Sequence, residues 1–142
     1  MSVDLKIHTF IRASRADVWA ALTDAASVAA FHPTAMQVKP LETGGYALHR
    51  PDDGSLFIRE PVLSQVEGER LELGFEPAWV ETPEGSTVIV ELSDDPLGTK
   101  VTLSQTRCAD LGIGDNRDRF LASMKSWLET GEGLHRAATE AA

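Results

Sequence analysis

The segment VDLKIHTFIRASRADVWAALTD, running from Val3 to Asp24, decides the reading of the fold because it changes period partway through. Val3, Leu5, Ile7 and Ile11 fall on one face and Lys6, His8 and Arg12 on the other, a period of two that predicts a strand. Ser14-Arg15-Ala16-Asp17 then predicts a helix start. A serine hydroxyl there can accept from the free N–H three residues on, and an acid suits the positive end of a helix. A helix from about Arg15 to Asp24 follows, with Val18, Trp19 and Leu22 close enough in helical projection to require one buried side. Ala25 to Phe31 predicts a second short helix that stops before Pro33.

Beyond Pro33 the pattern becomes short alternating segments separated by Gly, Pro and Asp turns, as expected of an antiparallel sheet. Six further strands are predicted: Met36 to Leu41, Tyr46 to Arg50, Leu56 to Gln65, Leu71 to Glu76, Thr87 to Ser93 and Thr99 to Arg107. In the last of these Val101 and Leu103 alternate with Lys100, Thr102 and Ser104, giving one dry face and one wet face. A long helix from about Asp115 to Thr130 closes the pattern, with Phe120, Met124, Trp127 and Leu128 on one stripe, Asp115 as N-cap and Gly131 as left-handed C-cap. The order of elements predicts a single α+β domain over 1–142, with a core over about 3–131 and a flexible tail over 132–142. In it a curved seven-stranded antiparallel sheet wraps one long C-terminal helix, with two short helices after strand 1.

The bulk properties narrow the function. The 142 residues hold 13 Lys and Arg against 22 Asp and Glu, a net charge of −9, with no basic cluster to neutralise phosphates; nucleic acid is not an expected partner. The longest stretch free of charged residues, Ala25 to Val38, is short and broken by Pro33, so no membrane insertion is expected. The N-terminus has no basic end followed by an apolar run, and a cytoplasmic address is the expectation. The lone Cys108 reads as a small buried hydrophobe, since no His or Lys stands near it in sequence to stabilise a thiolate. No two of the four His residues have ligand spacing, and the pairs Asp52-Asp53 and Asp94-Asp95 are explained by turns, so no metal is expected. Gly112-Ile113-Gly114 lacks the third glycine of a dinucleotide fingerprint, and no cofactor is called for.

The run Ile11 to Asp24 resembles the opening of the AHSA-like proteins, the homologues of the activator of heat-shock-chaperone ATPase, within the START, SRPBCC or birch-pollen-allergen-like superfamily. Gly45-Tyr46, the spacing from Val62-Leu63 to Arg70-Leu71, Ser86-Thr87-Val88 followed by Gly98 to Leu103, and the closing Met124 to Gly131 extend that resemblance over nearly the whole chain. It implies a helix-grip fold with an apolar cavity between the sheet and the last helix. Two departures stand out: Glu60 occupies a position where the family commonly has glycine, and the loop after Cys108 is short for a lid.

Candidate lining residues for such a cavity are Phe31, Met36, Tyr46, Phe57, Phe75, Trp79, Phe120, Met124 and Trp127, with His49 the nearest polar candidate and His32, Glu60 and Glu91 as further polar groups. Each apolar member reads more readily as plain core than as a ligand contact. Trp19 is expected to seal the first helix onto the domain, and Trp79, in a Pro-flanked loop, either gates a cavity mouth or covers the sheet edge. Tyr46 and His49 are an odd number of residues apart and so point to opposite faces of a regular strand. Glu91 reads as a solvated charge, with a buried carboxylate the alternative; His8 and His135 read as surface residues. The expected function is uptake of a small hydrophobic or amphipathic molecule by a non-catalytic carrier or sensor. The resemblance also allows a chaperone-interacting protein, and the fold allows a cyclase- or hydratase-like enzyme, for which no convergent acid and base is visible in the sequence.

Overall fold

A computed structural model describes residues 3–34, 37–80, 85–107 and 115–134. The expectations placed on Met36, Cys108, the 112–114 glycine segment and His135 lie outside them. The chain runs β1 (Val3–Ile11), α1 (Arg15–Thr23), α2 (Ala25–Phe31), β2 (Gln37–Pro40), β3 (Gly45–His49), β4 (Leu56–Val66), β5 (Arg70–Gly74), β6 (Glu76–Pro77), β7 (Thr87–Asp95), β8 (Gly98–Thr106) and α3 (Asn116–Thr130). The strands form one antiparallel sheet in the order β1-β8-β7-β5-β4-β3-β2. The path holds the seven strands expected, and β6 adds an eighth by pairing with β4 at Ile58–Pro77 and Arg59–Glu76. The segment expected as one strand from Leu71 to Glu76 is therefore divided at Phe75, whose N–H bonds Ser86 O at 3.0 Å.

β4 explains how the sheet bends. Its first half pairs with β3 and β6, its second half with β5, and the register shifts between Val62 and Ser64. A bulge of this kind adds one residue and sharpens the local twist, so the strand serves two differently oriented parts of one sheet. The concave side then carries alternate residues such as Ile11, Leu71, Leu73, Val90, Val101 and Leu103, all buried. Against it pack Val18 and Leu22 of α1, Val28 and Phe31 of α2, and Phe120, Leu121 and Met124 of α3. Trp19 is half-buried and leans on this core from its rim.

The helix ends follow the sequence in part. Ser14 Oγ accepts from Asp17 N at 3.1 Å, as expected of the N-cap, and Asp24 both ends α1 and caps α2 by accepting from Ser27 N at 3.1 Å. Gly131 takes the left-handed conformation at φ 86° and its N–H returns to Trp127 O at 2.8 Å. Asp115 is the N-cap residue of α3, as expected, and its carbonyl accepts from Arg119 N at 3.1 Å, while its side chain makes no capping bond. Farther along the helix Lys125 Nζ donates to Phe10 O at 2.6 Å, and Glu129 Oε2 accepts from Arg12 N at 2.8 Å and from Lys125 at 2.7 Å, tying α3 to the edge strand β1. The Ser123 hydroxyl bonds Phe31 O and accepts from Leu134 N, fixing α2, α3 and the chain beyond Gly131 together.

Gly45 begins β3 with φ 88°, and a Cβ built on it would lie 2.2 Å from Glu60 O and 2.9 Å from Pro61 Cα. Backbone, not a flexible side chain, stands in the way. Gly45→Ala is expected to destabilise the domain by about 2 kcal/mol or more, combining left-handed strain with the clash, while Gly68→Ala, with open space around its Cβ, costs only its conformational strain. Denaturant midpoints of the two variants check the difference.

Candidate ligand-binding interior

Four elements place polar side chains on the concave side. Glu60 stands on β4 opposite Tyr46 of β3, Gln105 lies near the end of β8, Ser86 immediately precedes β7, and Arg117 occupies the first turn of α3. Gln105 is fully buried and Glu60 and Arg117 are 3% and 8% exposed. Arg117 reaches down from the helix to bond Glu60 Oε1 through Nη2 at 2.8 Å and Gln105 Oε1 through Nε at 2.9 Å. Gln105 Nε2 donates onward to Ser86 Oγ at 3.1 Å, and Ser86 Oγ donates to Thr106 O at 2.8 Å. The guanidinium also lies over the Phe75 ring at 4.9 Å and near that of Phe120 at 5.8 Å.

Removing two opposite charges from water costs several kcal/mol per ion, and close approach offsets this only when the remaining donors and acceptors are bonded. Among the described residues no buried side-chain nitrogen or oxygen lacks a hydrogen-bond partner. The network is thus a satisfied polar island in an apolar interior. Tyr46 borders it: burial, and secondarily the Glu60 carboxylate, push its phenol well above the ordinary tyrosine value, with Arg117 opposing.

The space directly under α3 is occupied by side chains. Phe31 meets Phe120 edge-on at 5.3 Å and Trp127 at 5.7 Å, and Met124 is fully buried among the same core. A recess of 230 Å³ instead opens toward the end of α1, between Leu22 and Thr23 and the β3–β5 part of the sheet; Gly45, Tyr46, Val62 and Leu73 contribute to its wall. Tyr46 therefore joins an apolar recess to the buried ion pair. A second, wider groove of 540 Å³ crosses the opposite face of the sheet, where Glu91 is exposed beside Lys6, His8, Arg70 and Lys100.

The residues singled out in the sequence divide accordingly. Phe31, Phe75, Phe120 and Met124 are core residues around Arg117 and α3, Trp127 is half-buried at their edge, and Tyr46 faces both recess and network. His32 packs near Phe120 and its Nδ1 lies 2.8 Å from Thr34 Oγ1. Phe57 and Trp79 form their own pair, 5.0 Å apart, with Arg50 4.7 Å from the Phe57 ring; Trp79 is 45% exposed. His49 Nδ1 lies 3.1 Å from Gly54 O in the β3–β4 turn, away from Tyr46's partners.

Arg117, Gln105 and Ser86 were not anticipated. Two signals existed: Gln105 continues the inward series of Val101 and Leu103, and Arg117 precedes Phe120 and Met124 by three and seven residues, on their stripe. Among the described residues no three His, Cys, Asp or Glu side chains gather into a metal-ligand set, and no helix is long and apolar enough to cross a membrane.

A bent antiparallel sheet gripping a terminal helix, with two short helices closing one end, defines a helix-grip α+β domain. The sequence profile of the family described as Activator of Hsp90 ATPase homolog 1-like protein matches residues 12–135, and the chain belongs to that family. No curated protein matches the sequence. Solved structures share the fold at low identity. The Aha1 dimer from Colwellia psychrerythraea superimposes with a TM-score of 0.73 at 17% identity, covering 94% of this chain and 100% of its own. A protein from Mesorhizobium loti gives 0.69 at 20% identity over 88% and 96%, and one from Cytophaga hutchinsonii gives 0.67 at 20% over 92% and 98%.

Tyr46 is the only tyrosine, so its ionisation can be followed directly by ultraviolet difference spectroscopy. A raised folded value means that Tyr46 adds stability fully present below the unfolded value of about 10 and lost as pH climbs beyond it. No phenolate signal is expected until the fold itself opens in alkali. Reversible titration of the native protein near pH ~10 would contradict the burial described.

Proposed function

We propose that this domain binds a small amphipathic molecule in the recess between the end of α1 and the β3–β5 part of the sheet, and serves as a carrier or sensor of that molecule. The observation that supports this most strongly is the position of Tyr46, with a 230 Å³ apolar recess on one side and the Glu60–Arg117 pair on the other. Ligand sites combine an apolar wall with a few convergent polar groups, which is the arrangement here. The recess is smaller than the roughly 300–1,000 Å³ of usual ligand pockets, so it suits one ring or the end of an acyl chain, entering from the α1 side. Removal of apolar ligand surface from water would drive binding, at about 25 cal/mol per Å² before association costs, and the Tyr46 hydroxyl would orient a polar substituent.

Thermal unfolding with fatty acids, flavonoids and sterols tests the reading. A binder present at about a hundred times its Kd should add about 2.7 kcal/mol to the native state. Tyr46→Phe should weaken the same binder by up to about tenfold, the worth of one neutral hydrogen bond. No stabilisation from any class would overturn the proposal.

The family description and the Aha1 relative support a second reading, contact with an Hsp90-type chaperone. Stimulation of chaperone ATPase activity by the domain, unaffected by Tyr46→Phe, would favour that reading over ligand carriage.

A further inference from the structure

β4 is flanked on both sides only along its first half. From Leu56 to Pro61 it lies beside β3, and β6 joins it on the other side, but the β3 pairing ends at Gly45–Pro61. Val62 N still reaches Gly44 O at 3.2 Å. From Leu63 to Val66 the strand pairs with β5 alone, and among the described residues no backbone group bonds its other side. All four residues are exposed, Leu63 by 54% and Val66 by 52%. Open strand edges with apolar side chains are templates for a further strand, and most proteins blunt them with charge, proline or a covering element. This stretch, Leu63-Ser64-Gln65-Val66, contains neither charge nor proline, and the bulge between Val62 and Ser64 lies at its start and leaves Gln65 and Val66 in regular pairing with β5.

The charges lie at its ends. Glu42 is exposed in the turn before Gly45, and Glu67 and Glu69 are exposed in the turn that follows β4. The nearby cations are already engaged, Arg15 with Asp94 at 2.9 Å and Arg70 with Glu72 at 3.0 Å. The edge is therefore uncharged along its length, with apolar Leu63 and Val66 on either side of polar Ser64 and Gln65, and acidic groups at both ends. We propose that Leu63–Val66 of β4 accepts an extended peptide strand of a partner protein, one with alternating apolar residues and basic residues at its ends. Main-chain bonds to the open edge would supply affinity, contacts with Leu63 and Val66 would set register, and Glu42, Glu67 and Glu69 would select the basic ends.

The test uses the full chain, isotope-labelled for NMR, and a synthetic heptapeptide Lys-Val-Thr-Leu-Thr-Val-Lys. Comparison peptides carry Glu at both ends or Pro in place of the central Leu. The expected result is amide shift changes and slowed hydrogen exchange confined to residues 62–66 and the neighbouring 44–45 turn. The Lys-ended peptide should bind about tenfold more tightly than the Glu-ended one, and the Pro peptide should give no protection. Leu63→Lys and Val66→Lys, both at exposed positions, should abolish the response without lowering the thermal midpoint; should either fail to fold, the peptide series decides alone. Shifts elsewhere, or equal binding of both charged peptides, would overturn the proposal. So would protection of 62–66 without peptide that vanishes on dilution, which would assign the edge to a second copy of the chain.

Discussion

The guanidinium of Arg117 fastens the first turn of α3 to the sheet. It leaves the first turn of α3, crosses the apolar interior and ends on a carboxylate from β4 and an amide from β8, with an aromatic ring beneath it. An apolar helix stripe alone can slide or rotate over a sheet at modest cost. A bonded charge cannot, because any displacement leaves a buried ion unpaired. Lys125 and Glu129 hold the other end of the same helix to β1, so α3 is fastened near both termini and packed by Phe120 and Met124 between them.

This fastening explains Glu60. A carboxylate in the wall of the core is costly unless a partner meets it. Arg117 is that partner, and Gly45, which passes against Glu60 O too closely for any side chain, sets the carboxylate-bearing strand in place. The interior consequently has a polar floor beside Tyr46, and open volume is displaced toward α1 and away from the middle of α3.

Most of the architecture was legible in the sequence, since it rests on local periodicity. The change from period two to period 3.6 across Val3 to Asp24, the Ser14 cap and the Gly131 stop all appear in the structure as read. What escaped depends on register. The split at Phe75 follows from where β4 changes partners, a choice made by residues distant in the chain. The Arg117–Glu60–Gln105 network likewise joins positions 57 and 12 residues apart, and a lone Arg on an otherwise apolar stripe reads as a boundary residue until its counter-charge is located. The aromatic candidates were ambiguous for a different reason: burial places Phe31 and Phe75 in the core, whereas Phe57 packs against its edge and pairs with the exposed Trp79, and composition cannot distinguish the two outcomes.

A double-mutant cycle at positions 60 and 117 addresses the joining interaction directly, with unfolding free energies taken from denaturant titration of Glu60→Leu, Arg117→Met and the combined variant. Each single replacement strands a buried charge and is expected to lose about 3–5 kcal/mol, while the combined variant, with no charge left to strand, should be more stable than either. Losses that simply add in the combined variant would show that the two side chains act independently, and that something other than their pairing holds α3 on the sheet.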